Sequence, residues 1–122
     1  MFLLAEYRTK VTVPASGSIA VPIPVTRMGF VHKVAVKATT STTVTVNLYN
    51  QAETTGVPKE ITTIIPQQTD SGGSIQFIAS NCGYPFAVKG QSTTNAKFYI
   101  YLELQAASGT VCDIAVLWRS ND

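Results

Sequence analysis

Read two residues at a time, residues 96–104 place Ala96, Phe98, Ile100, Leu102 and Leu104 on one face, and Lys97, Tyr99, Tyr101 and Glu103 on the other. Period-two alternation of this kind predicts a half-buried β-strand. A polar, Gly-containing turn follows at 105–110, and residues 111–119 return with Cys112, Ile114, Val116 and Trp118 on one face. So short a link predicts an antiparallel hairpin. Residues 5–13 repeat the pattern, with Ala5, Tyr7, Val11 and Val13 inward and Glu6, Arg8, Lys10 and Thr12 outward. In residues 18–25, Ile19, Val21, Ile23 and Val25 share one face, and Pro22 and Pro24 the other. The two prolines leave successive N–H groups missing along one lateral side. This predicts an edge strand that resists further strand addition.

Phe30, His32, Val34, Val36 and Ala38 fall on one face of the next segment, opposite Val31, Lys33, Ala35 and Lys37. After a Thr/Ser turn at 39–43, Val44, Val46 and Leu48 point inward, which predicts a second hairpin. Shorter strands are expected at 61–65, stopped by Pro66, at 75–78 and at 86–88, with loops at 51–59 and 67–73. Eight or nine strands with regular turn signals and no helical period predict an all-β chain. The expected architecture is an antiparallel β-sandwich, jelly-roll-like. Residues 1–122 read as one domain, with 1–5 as an N-terminal anchoring arm.

Composition adds constraints. Only 13% of the 122 residues are charged, about half the usual share for a soluble domain. A net charge of +2 from scattered Lys and Arg does not build the clustered basic face of a nucleic-acid binder. No apolar run reaches the ~20 residues of a membrane span. The apolar start, residues 1–5, stops at Glu6 without the features of a signal peptide, so cytoplasmic synthesis is expected. Cys82 and Cys112 do not make a disulfide framework; buried free thiols are the expectation, with a single bridge left open.

Candidate chemistry is sparse. His32 is the single histidine and would have to be the base of any Ser- or Cys-based nucleophilic site; Cys82 is its least unsuitable partner. A zinc site from His32, Cys82 and Cys112 lacks a fourth ligand and Cys-x-x-Cys spacing. The stretch 70–73, Asp-Ser-Gly-Gly, lacks the repeated acids of a calcium loop and reads as a turn; the strand that follows it excludes a phosphate cradle. Among Glu53, Glu60, Glu103 and Asp113 nothing singles out a carboxylate pair. The chain therefore reads as non-enzymatic, with no cofactor and no metal. The strongest lead is the polar face of 96–104, where Tyr99 and Tyr101 stand between Lys97 and Glu103. Aromatics in a row on such a face suit cover by a neighbouring loop of the same chain, a subunit interface or a sugar-stacking platform, which Tyr49 would extend if its strand lay alongside.

The segment 30–38, its Thr/Ser turn, and 44–50 (Val-Thr-Val-Asn-Leu-Tyr-Asn) resemble small β-sandwich proteins of tailed-phage virions, as does the ending from Phe98 to Trp118. The chain is similar to decoration, or cement, proteins that sit on assembled capsids. That resemblance implies a structural virion protein on the outer capsid surface, made in the host cytoplasm. Its partners would be the major capsid protein and copies of itself, often as homotrimers, with neither nucleic acid nor membrane bound. Head-fibre and tail components share the same style. The interface residues expected on this reading are Phe2, Leu3 and Leu4 as an anchor, with Lys97, Tyr99 and Tyr101 on the strand face. The rival expectation is a lectin-like or receptor-binding module that takes a glycan through Tyr49, Tyr99 and Tyr101.

Overall fold

The computed structural model describes residues 4–50, 63–79, 83–88 and 98–121. Nine strands run in chain order: β1 (Ala5–Thr12), β2 (Ser18–Val25), β3 (Met28–Ala38), β4 (Val44–Tyr49), β5 (Thr63–Asp70), β6 (Ser74–Ile78), β7 (Tyr84–Ala87), β8 (Phe98–Gln105) and β9 (Val111–Ser120). One sheet has the order β1-β9-β3-β6, with β7 also on β3, and the other the order β2-β8-β4-β5. All pairings are antiparallel. This interleaved order is that of a jelly roll, two Greek keys folded into a sandwich. β7 pairs with Met28–Val31 and β6 with Lys33–Lys37, both along the same side of β3. One jelly-roll position is thus filled by two short strands in tandem.

The apolar faces meet between the sheets. Val34, Val36, Ile114 and Val116 from the first sheet lie against Ile23, Val46, Leu48, Ile100, Leu102 and Leu104 from the second, all essentially inaccessible to water. Each such side chain contributes about 1.5–3 kcal/mol relative to exposure. Their β-branched and Leu character fits strands buried on one face.

Except at the start of β3, the expected strand faces hold, but the two expected hairpins do not. β8 and β9 belong to different sheets, and so do β3 and β4. Among consecutive strands only β4 and β5 pair with each other. The apolar faces of each expected hairpin stack across the core instead of lying side by side. Alternation reports which face is buried, not which strand is the neighbour.

The register of β3 shifts between Val31 and Lys33 against β9, a β-bulge at His32. The extra residue reverses the alternation on its N-terminal side. Val31 is therefore fully buried, and Phe30 faces outward where an inward position was expected. The break sits where β6 hands over to β7, and Ala79 N donates to His32 O at 2.9 Å. Pro66 does not end its strand: β5 runs on to Asp70, so 67–70 is strand and not loop. β5 is an edge strand whose register shifts between Val46 and Leu48 of β4, a place that tolerates a missing N–H. The prolines of β2 behave as expected, since β2 is the opposite edge of that sheet and pairs with β8 alone.

Candidate functional site

The outer face of the β2-β8-β4-β5 sheet gathers the aromatic lead. Tyr99, Tyr101, Glu103 and Gln105 alternate outward along β8. Across the ladder, Tyr99 lies opposite Pro24, and Tyr101 lies between Pro22 and Tyr49. The rings of Tyr99 and Tyr101 are 6.5 Å apart at 45°. Both are half-buried, while Pro22 and Pro24 are exposed. The result is an apolar plate of two tyrosines and two prolines at the sheet edge. Burial pushes the Tyr101 hydroxyl above its ordinary 10.0, and Tyr99 adds to the shift. Tyr49 does neighbour Tyr101 but is only 7% exposed, so it backs the plate instead of extending its open surface.

Beside the plate, Asn47, Tyr49, Thr63, Pro66, Gln67, Glu103 and Gln105 line an open, largely polar hollow of about 550 Å³. Asn47 faces Glu103 across the ladder and is buried, and its Oδ1 has no hydrogen-bond partner among the described residues. Gln105 Nε2 donates to Glu103 Oε1 at 3.3 Å. The prolines and this amide cluster join the tyrosines only through the strand order, which no local pattern signals.

The other expected interface residues are not brought to this face. Leu4 is described and 48% exposed. It precedes β1 on the opposite sheet, beside the Ala5–Trp118 pair. Phe2, Leu3 and Lys97 lie outside the described residues, as do Cys82, Glu53 and Glu60.

The remaining candidates are accounted for by local structure. Arg119 Nε donates to His32 Nε2 at 3.1 Å, while the Arg119 guanidinium lies 4.2 Å from the centroid of the Phe30 ring. The ring nitrogen a general base would use is therefore engaged. Cys112 is a buried free thiol opposite Ala38, at the far end of β3 from His32. No group of His, Cys, Asp or Glu among the described residues is placed to hold a metal. Asp70 Oδ1 accepts from Gly72 N at 2.6 Å, which makes 70–73 a capped turn between β5 and β6. Glu103 and Asp113 point from opposite sheets and form no carboxylate pair. No helix among the described residues is long and apolar enough to cross a membrane.

The outer face of the β1-β9-β3-β6 sheet is different in character. Ala35 and Ala115 lie opposite each other and, with Arg8, Thr9, Lys37, Asp113 and Ile114, line a shallow dish of about 410 Å³. Compared with known proteins, the chain matches no protein-family model and no curated sequence.

Proposed function

We propose that this protein is a non-enzymatic structural component of a tailed-phage virion. It binds the outer surface of the assembled capsid and cements neighbouring capsomers, with the major capsid protein and further copies of itself as partners. A homotrimer follows from the resemblance to decoration proteins. The observation that carries the reading is the Tyr99–Tyr101–Pro22–Pro24 plate. It is largely aromatic and prolyl, and it lies on an edge where Pro22 and Pro24 lack the N–H groups that a further strand would need. Binding there is face-on, through side chains, as suits attachment to a preformed surface. The jelly-roll frame and the low charge support the same reading, and weak contacts repeated over a lattice sum through effective concentration.

A second reading is favoured by the hollow beside the plate. Its amides, Glu103 and Tyr49 offer the mixed hydrogen bonding that a glycan would take, with Tyr99 and Tyr101 for stacking. Sedimentation of a producing lysate, with quantitative mass spectrometry of each fraction, separates the two. Travel with very large particles, in fixed ratio to one dominant shell protein, supports the cement role. A low copy ratio points to a head-fibre or tail part. Confinement to light fractions removes the capsid reading and makes glycan binding, lost on Tyr99→Ala, the next test.

A further inference from the structure

The four outer strand positions of the two sheets are not equally protected. β2 carries Pro22 and Pro24, and β5 carries Pro66 and two register shifts. β6 and β7 are short, with 5 and 4 residues, and part at the His32 bulge. β1 is eight residues long, without proline or bulge, and among the described residues it pairs with β9 alone. Natural proteins generally disrupt or cover such an edge.

Its hydrogen-bonding groups can be assigned. Val13 N donates to Thr110 O, and Val13 O accepts from Gly109 N, so the odd-numbered residues turn toward the β9 side. Thr39 N donates to Val111 O, so the odd residues of β9 face β3 and its even residues face β1. Both observations leave the N–H and C=O groups of Glu6, Arg8, Lys10 and Thr12 on the open edge. The side chains of the same residues line the outer sheet face, where Arg8 already contacts Glu6, and Lys10 lies 3.7 Å from Asp113.

We propose that the open edge of β1 pairs antiparallel with β1 of a second copy, in the register that sets Glu6 opposite Arg8 of the second copy. Self-pairing about a two-fold axis allows few registers, because only even-numbered residues can exchange hydrogen bonds. Centring on Tyr7 places Glu6 opposite Arg8 twice, Tyr7 opposite Tyr7 and Lys10 opposite Leu4, with no like charges facing. Centring on Arg8 sets Glu6 opposite Lys10 twice but also two arginines face to face, a repulsion that the Tyr7 register avoids, and centring on Glu6 sets two glutamates face to face. Shifting the centre to Thr9 sets Arg8 opposite Lys10 twice. Cross-strand charge pairs thus select one register. The contact is isologous and closes at two copies, whether these are single chains or members of larger rings. It does not rest on the capsid reading.

The test is sedimentation equilibrium of the isolated chain with Glu6→Arg, Arg8→Glu, the double exchange, and an equimolar mixture of the single variants. Glu6 and Arg8 are well exposed, so the variants keep the fold, which circular dichroism checks. Wild type is expected to associate through a two-fold contact. Each single reversal should raise its dissociation constant about tenfold, from two lost attractions and two new repulsions. The double exchange and the mixture should both restore it. Amide exchange at Glu6 and Arg8 should slow as concentration rises. A wild type that stays monomeric at millimolar concentration overturns the proposal. So does association indifferent to the single reversals, or a mixture that fails to recover it.

Discussion

Gly29 lies on β3 where it pairs with Ser120 of β9 and Phe86 of β7. Its position is inward and buried. A methyl group there would stand 2.9 Å from the Phe86 ring, and the Arg119 carbonyl oxygen lies closer still. The ring can turn, but the carbonyl is backbone and cannot. Gly29→Ala must therefore push the end of β9 away from β3. That strains the bond from Asn121 N to Met28 O, now 2.9 Å, and the edge-on contact of Phe86 with Trp118 at 6.3 Å. Overpacking of this kind costs about 1–3 kcal/mol, and a backbone obstacle places it near the upper end. The expected fall in Tm is about 10 °C. Gly109→Ala is the control: Gly109 has φ +85° but nothing within 4 Å of an added methyl. Only the conformational penalty of about 1 kcal/mol should appear. Urea unfolding of both variants measures the difference. If Gly29→Ala is no worse than Gly109→Ala, the close approach of β9 to β3 described above is wrong.

Leu48→Ala, at a position with no exposure between β8 and β5, should cost about 3 kcal/mol in urea unfolding; a loss below about 1 kcal/mol would count against the inter-sheet core. Burial first, then Asp113, push the Cys112 thiol above its ordinary 9.0. The unfolded thiol ionises before the folded one, so this contribution is whole below pH 9 and lost as pH rises above it. Wild type should lose stability more steeply than Cys112→Ala above pH 9, and equal slopes would refute the linkage. Replacing Pro22 and Pro24 with Thr returns two N–H groups to the free edge of β2. Stability should change by no more than about 1 kcal/mol while light scattering shows growing aggregates; a double variant as monodisperse as wild type would remove the edge-guarding role.

Much of the fold is legible because burial on one face leaves a period-two trace. β1, β2, β4, β8 and β9 are all visible this way, and the prolines of β2 also reveal its edge position. The bulge at His32 leaves no such trace: residues 30–38 alternate as cleanly with the wrong parity for Phe30 as with the right one. Its cause is tertiary, since two short strands must share one side of β3. Strand partners are hidden for a related reason. A turn of five or six residues serves equally to pair two strands or to carry the chain over the rim between sheets. The candidate site shares this limit. The alternation marks Tyr99 and Tyr101, but only the jelly-roll order sets Pro22 and Pro24 beside them and Asn47 opposite Glu103.

The outer face of the first sheet is rich in cations, and this bears on how the molecule attaches. Arg8, Lys10, Lys33 and Lys37 point outward from the first sheet, with Glu6 and Asp113 among them. The outer face of β8 presents Tyr99, Tyr101 and Glu103. Glu6 and Asp113 contact Arg8 and Lys10, and Lys33 and Lys37 remain exposed on either side of Ala35. Strand addition at β1 would extend the basic face sideways and leave the tyrosine–proline plate facing the opposite way. The two contacts then use different surfaces and do not compete. Loss of association through Glu6→Arg should leave face-on binding through Tyr99 and Tyr101 intact, and Tyr99→Ala should leave the β1 contact intact. Coupled loss of both in either variant would mean that the two surfaces belong to one interface.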